Sequence, residues 1–138
     1  MSFQDSVGWI YSEKVRDHFL NPRNVLEDES EKKSADGFGE AGSPICGDLM
    51  QMWIWAKENK IIKCRWKTFG CASAIASTSV LSEMVTKNSG MEIEQAEKLT
   101  PKDILKNLGG LPSKKIHCSV LGDQALRAAI LDFKKQNN

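Results

Sequence analysis

The hydrophobic positions repeat with a period of two in the middle of the chain and with a helical period around it. From Asp48 to Ala56, the residues Met50, Met52, Ile54 and Ala56 share one parity. After a turn at Glu58-Asn59-Lys60, Ile62, Cys64, Trp66 and Thr68 repeat the pattern. This alternation predicts a β-hairpin with one face in the core. The opposite parity holds Trp53 and Trp55 on one strand and Lys63, Arg65 and Lys67 on the other, so rings and cations can stack across the pair. Three basic side chains on one strand read more simply as a solvated face than as a nucleic-acid platform.

Helical spacing flanks this hairpin. Ser12 is placed to cap a short helix carrying Val15, His18 and Phe19 on one side and stopped by Asn21-Pro22. After Phe69-Gly70-Cys71, a run of small residues from Ala72 to Leu81 continues to Val85 and predicts a closely packed helix ending near Asn88-Ser89-Gly90. Two shorter helices follow, Ile93 to Leu99 and Pro101 to Asn107, the second with Pro in its first turn. Beyond the break at Gly109-Gly110-Leu111-Pro112, a last helix from about Ser119 to Lys135 aligns Leu121, Ala125, Leu126, Ala129, Ile130 and Phe133. The acidic, glycine-rich stretch from Glu27 to Gly42 reads as a mobile loop ending in a short strand. Together these elements predict one α+β domain over residues 1–138, a small antiparallel β-sheet with helices packed on one side.

Composition narrows the function classes. The chain has 138 residues, 41% hydrophobic and 27% charged, which suits a folded domain with a core. Nineteen Lys and Arg against eighteen Asp and Glu leave a net charge of +1, so no bulk field points to nucleic acid or an anionic membrane. Apolar runs are broken well before the roughly 18 residues of a membrane span. The opening Met1-Ser2-Phe3-Gln4-Asp5-Ser6-Val7 lacks the features of a secretory signal. A cytoplasmic address, with reduced thiols, is therefore the expectation.

The chemistry lies in the cysteines. Cys46, in Ser43-Pro44-Ile45-Cys46-Gly47-Asp48, precedes the hairpin, while Cys71 and Cys118 fall at or near helix starts, where a thiolate is stabilised. Gly47 and Gly70 beside two of them either leave the backbone uncrowded or simply make turns. Cys64 shares the core parity and reads as a buried, inert thiol. His117 beside Cys118 does not form a helical dyad with it, since adjacent positions diverge, and His18 reads as structural or surface-placed. Without a Cys-x-x-Cys there is no zinc-ribbon or thioredoxin-type pair. What remains is three dispersed cysteines, Asp48 and His117. Such a set suits a soft metal, zinc or an iron-sulfur cluster, and three thiolates plus one harder donor hold a cluster less firmly than four.

Four ordered blocks resemble the IscU/NifU-type iron-sulfur cluster assembly scaffolds over nearly the whole chain. These are Tyr11-Ser12-Glu13-Lys14-Val15 with Asp17-His18-Phe19 and Asn21-Pro22-Arg23-Asn24; Pro44-Ile45-Cys46-Gly47-Asp48; Lys67 to Ser79; and Leu108 to Pro112 with Lys115-Ile116-His117-Cys118-Ser119. The resemblance implies an IscU/SufE-like fold and a scaffold without turnover of its own. It further implies that Cys46, Cys71 and Cys118 receive sulfur and hold a labile 2Fe-2S cluster, with Asp48 and His117 as candidate oxygen and nitrogen ligands. The implied partners are a cysteine desulfurase, which supplies persulfide, and apo-proteins, which take the cluster.

The family segment read by an Hsp70-type chaperone and its J-protein is usually Leu-Pro-Pro-Val-Lys. Here it is Leu111-Pro112-Ser113-Lys114-Lys115, and the added charge leaves that partnership open. Glycines 109 and 110 look more like the NifU branch, and the chain lacks the insertion and altered third motif of SufU-type sulfurtransferases. Relatives of this shape also bind zinc at the same ligands. The alternative is therefore a zinc-dependent sulfurtransferase that accepts persulfide and stimulates a desulfurase without building a cluster.

Overall fold

The computed structural model describes residues 12–43, 47–110 and 116–136, with the side chains of Ser43 and of 116–120 outside that description. Its elements are α1 (Glu13–Leu20), a 3-10 helix (Glu29–Ser34), β1 (Gly37–Ser43), β2 (Asp48–Lys57), β3 (Lys60–Phe69), α2 (Ala72–Thr86), β4 (Met91–Glu92), α3 (Ile93–Glu97), α4 (Pro101–Leu108) and α5 (Ile116–Gln136). The strands form one antiparallel sheet in the order β1-β2-β3-β4. The α-helices pack on one face, giving the α+β arrangement expected from the alternating and helical patterns.

The β2–β3 hairpin turns through Glu58 and Asn59, both at positive φ (53° and 65°), between the paired Lys57 and Lys60. A two-residue loop of this kind matches the right-handed twist of the strands. Met50, Met52 and Ile54 face the helices at 0% exposure, as their parity requires. Ile62 does not follow its assigned parity. The register slips at Trp55/Ala56, so that Trp55 opposes Lys63 while Ala56 opposes Ile61. This bulge inverts the alternation at the start of β3. Ile61 is buried instead, and Ile62 is half exposed.

The stretch from Glu27 to Gly42 ends in a strand, as expected, but what precedes the strand is not a plain loop. It folds into the 3-10 helix and a seven-residue β1, and its glycines serve packing rather than turning. A Cβ on Gly39 would overlap the Ala125 carbonyl and the Ala129 amide, and one on Gly37 would meet the Ala129 carbonyl and Phe133. These glycines let α5 lie directly on the β1 backbone. Leu121, Ala125, Leu126, Ala129 and Ile130 of α5 then complete the core with Leu81 and Val85 of α2 and Ile104 and Leu108 of α4.

The second sheet face is also covered, contrary to its reading as solvated. Leu26 and Ala35 pack on Trp53 and Trp55, which are 5% and 8% exposed. Glu31 pairs with Lys63 (2.5 Å) and lies 3.6 Å from Arg65, while Glu29 pairs with Lys67 (2.7 Å) and Lys32 (2.9 Å). The Lys63 ammonium sits 4.6 Å above the Trp55 ring, the cross-strand stacking expected of that face. Trp55 Nε1 donates to Ser34 Oγ (3.0 Å). The acidic segment thus neutralises the basic strand, which removes the case for a nucleic-acid surface.

Ser12 caps α1, accepting the Val15 N–H at 3.2 Å, and its hydroxyl also reaches the Leu108 carbonyl. His18 on this helix is structural. It is 6% exposed, with Nδ1 2.8 Å from Ser79 Oγ and Nε2 3.5 Å from Glu83 Oε1. Burial, reinforced by nearby Arg23 and opposed by Glu83 and Asp17, lowers its pKa below the ordinary 6.5. Because the folded value is depressed, His18's contribution is complete above pH 6.5 and is lost as pH falls through the folded pKa.

Two outcomes follow. Gly39→Ala meets backbone on both contacts and should cost about 3 kcal/mol or more, as overpacking that cannot relax. Gly42→Ala, whose Cβ would sit 3.4 Å from Asp48 O and Leu49, should be nearly neutral in the same urea titration. Lowering the pH from 7 to 5 should destabilise the protein more than a His18→Gln variant, measured by urea midpoints at each pH.

Candidate functional site

One end of the sheet collects the chemistry. Ser43 pairs with Asp48 and Leu49 with Phe69, so β1 ends, β2 begins, β3 ends and α2 begins at the same edge. The glycine contacts show that α5 runs antiparallel to β1, with Gly37 against Ala129 and Gly39 against Ala125. Four strand residues from Gly39 to Ser43 advance about 13 Å, and seven helical residues from Ala125 back to Cys118 about 10 Å. The first turn of α5, which contains His117 and Cys118, therefore starts at that edge too.

Two of the sequence-identified residues are in direct contact. Cys71 is the N-cap residue of α2, and its backbone N–H donates to Asp48 Oδ1 at 3.2 Å. Asp48 is 4% exposed. Its carboxylate occupies the space a side chain on Gly70 would fill, since a Cβ there would overlap Oδ1. Gly70 is accordingly neither a plain turn residue nor a spacer for the thiol but the seat of the carboxylate. Gly47, by contrast, has φ +71° with no heavy atom of the described residues within 4 Å of an added Cβ, a turn glycine leading into β2.

The carboxylate is only half satisfied. Oδ2 is buried, and among the described residues it has no hydrogen-bond partner. An unpaired buried carboxylate oxygen is expensive unless a donor or a cation meets it. The half-buried Cys71, whose backbone N–H holds Oδ1, carries its Sγ 3.0 Å from Ser73 Oγ. Ser73 escaped the sequence reading; its signal was a hydroxyl two residues past a helix-capping cysteine.

The remaining candidates are placed only in part. Cys46 lies outside the described residues, as does the Leu111–Lys115 segment, and His117 and Cys118 are described in backbone alone. Among the described residues no three His, Cys, Asp or Glu side chains converge. Cys64 is where its parity puts it, a free thiol at 0% exposure on the core face, with desolvation pushing its pKa up to about 12. A thiol so disfavoured as thiolate is a poor nucleophile or ligand.

The described residues thus bring a cysteine and a buried carboxylate together at one edge of an α+β domain. The comparisons are more particular. The NifU-like N-terminal domain family model matches residues 10–138, and the chain belongs to that family. The iron-sulfur cluster assembly scaffold protein IscU of Aquifex aeolicus is 53% identical over 127 residues, covering 89% of this chain and 75% of that protein. IscU 1 of Archaeoglobus fulgidus is 48% identical over 128 residues, covering 93% of this chain and 79% of its own length. The N-terminal part of a NifU-like protein from Brucella abortus has the same fold, with a TM-score of 0.65 and 16% identity, over 92% of this chain and 96% of that one. Among the described residues no helix is long and apolar enough to cross a membrane.

Two measurements check the site. Iodoacetamide applied to the native protein should leave Cys64 unmodified, and urea should expose it, by peptide mass mapping. Gly70→Ala, whose Cβ would overlap Asp48 Oδ1, should dislodge the Asp48 carboxylate and destabilise the protein by about 1–3 kcal/mol, measured by urea titration, without comparable loss of secondary structure.

Proposed function

We propose that this protein is a scaffold on which a labile 2Fe-2S cluster is assembled and from which it is passed on, the cluster being cargo rather than a resident cofactor. Cys46, Cys71 and Cys118 supply thiolates, and Asp48 or His117 supplies the fourth donor. The observation that carries this reading is the Asp48 carboxylate: one oxygen is held by the Cys71 N–H, and the other is buried with no hydrogen-bond partner among the described residues. That orphaned oxygen fits a cation at this edge. A hard carboxylate among soft thiolates binds the cargo weakly enough for release.

The chain performs no turnover of its own in this reading. A cysteine desulfurase delivers persulfide sulfur; the two sulfurs of a cluster take up four electrons to become sulfide, two from the two ferrous ions, which become ferric, and two from an external thiol or redox-protein reductant. Apo-proteins in the cytosol are the recipients. The names of the Aquifex and Archaeoglobus relatives support the scaffold role. Zinc is the natural occupant when iron is scarce, since thiolate and carboxylate donors suit it equally.

Anaerobic incubation with ferrous iron, cysteine, a reductant and a desulfurase should yield a 2Fe-2S absorption spectrum that moves to an apo-ferredoxin. Cys71→Ala should reduce it to near background, and Cys64→Ala should leave it intact. Asp48→Ala should lengthen the lifetime of the cluster on the scaffold. Bound zinc, stimulated desulfurase turnover and no iron-dependent spectrum would instead establish a zinc-dependent sulfurtransferase.

A further inference from the structure

Ser73 sits in the second position of α2, at 0% exposure, with its hydroxyl 3.0 Å from Cys71 Sγ. Either atom is a possible donor while the cysteine is a thiol. Once the sulfur binds a metal it carries no proton, so the only hydrogen left between the two atoms is that of the serine. We infer that Ser73 is a positioning residue for the cargo site, donating its O–H to the ligating Cys71 sulfur and drawing charge from it. The inference rests on the assignment of Cys71 as a ligand made above and adds a residue to it.

The surroundings make this contact strong and fixed. Ser73 is held in helical geometry, and Cys71 is anchored on both sides. Its N–H is bound to Asp48 Oδ1, and its carbonyl accepts the Ile75 N–H at 3.1 Å. Ser77 and Thr78, one turn further, instead bond the Ala74 carbonyl of their own helix (3.1 and 2.8 Å). That is the usual resting place of a hydroxyl inside a helix. Ser73 reaches the cysteine because it lies within the first turn, where Cys71 Sγ stands at the open N-terminal end. A hydrogen bond to a ligand sulfur lowers its electron donation to the metal, which raises the cluster's reduction potential and sets the energy of sulfur-to-metal charge transfer.

Cobalt(II) titration of the full-length protein, followed in the near-ultraviolet, tests both layers. The wild type should develop a thiolate-to-cobalt charge-transfer band. In Ser73→Ala that band should move to longer wavelength, and zinc affinity measured against a chromophoric chelator should fall about 10-fold, at the lower edge of supporting-contact losses. Ser73→Thr, which keeps the hydroxyl, should restore both. The wild-type protein provides a check without substitution: its metal–sulfur stretching frequencies should shift between H2O and D2O in resonance Raman spectra. No band in the wild type would end the ligand assignment and this inference with it. A normal band, unchanged in Ser73→Ala or insensitive to D2O in the wild type, would leave Cys71 a ligand and overturn the role of Ser73 alone.

Discussion

The contact on which the rest of this structure depends is the direct seating of α5 on the backbone of β1. Gly37 and Gly39 present no side chain to the helix, so the Ala125 and Ala129 backbone comes up against the strand itself. That approach fixes the helix's direction and its register along the strand together, because any slide would bring a side chain into the gap. Close packing of this kind is stiff, since a protein interior has no free volume to absorb a shift. The consequence reaches the far end of the helix, whose first turn is delivered to the sheet edge where β2 begins and β3 ends.

At that edge a third glycine acts on a smaller scale. Gly70 gives the Asp48 carboxylate a place against the chain, and the Cys71 amide, the first of the unpaired donors at the head of α2, holds one of its oxygens. The arrangement orients a buried carboxylate whose second oxygen has no hydrogen-bond partner among the described residues. A buried oxygen in that state suits a cation better than an apolar core, which supports the proposed role in passing metal on.

The opposite sheet face shows how charge and burial combine. Trp53 and Trp55 are too large to leave in water, and the three cations beside them too strongly hydrated to bury alone. The segment from Leu26 to Ala35 resolves both demands by laying apolar side chains on the rings and Glu29 and Glu31 on the cations. Exposed ion pairs contribute little individually, so the apolar contacts hold the segment and the charges choose its place.

By itself the sequence determined the elements that obey a local rule: the hairpin with its turn, the capped α1, the Pro-led α4, the apolar face of α5, the inert placement of Cys64, and the blocks that carry the family resemblance. Each is set by neighbours within a few positions, where periodicity and capping decide the outcome. Tertiary structure alone decided what depends on residues far apart. It turned Gly37 and Gly39 from loop signals into a packing surface, moved the core position from Ile62 to Ile61 through a bulge, and covered a basic strand with an acidic segment. It also joined Asp48 to Cys71 across Gly70 and placed Ser73 against the sulfur. A glycine, a charge or a hydroxyl reads the same in sequence whether it faces water or a helix; only the element packed on it supplies the difference.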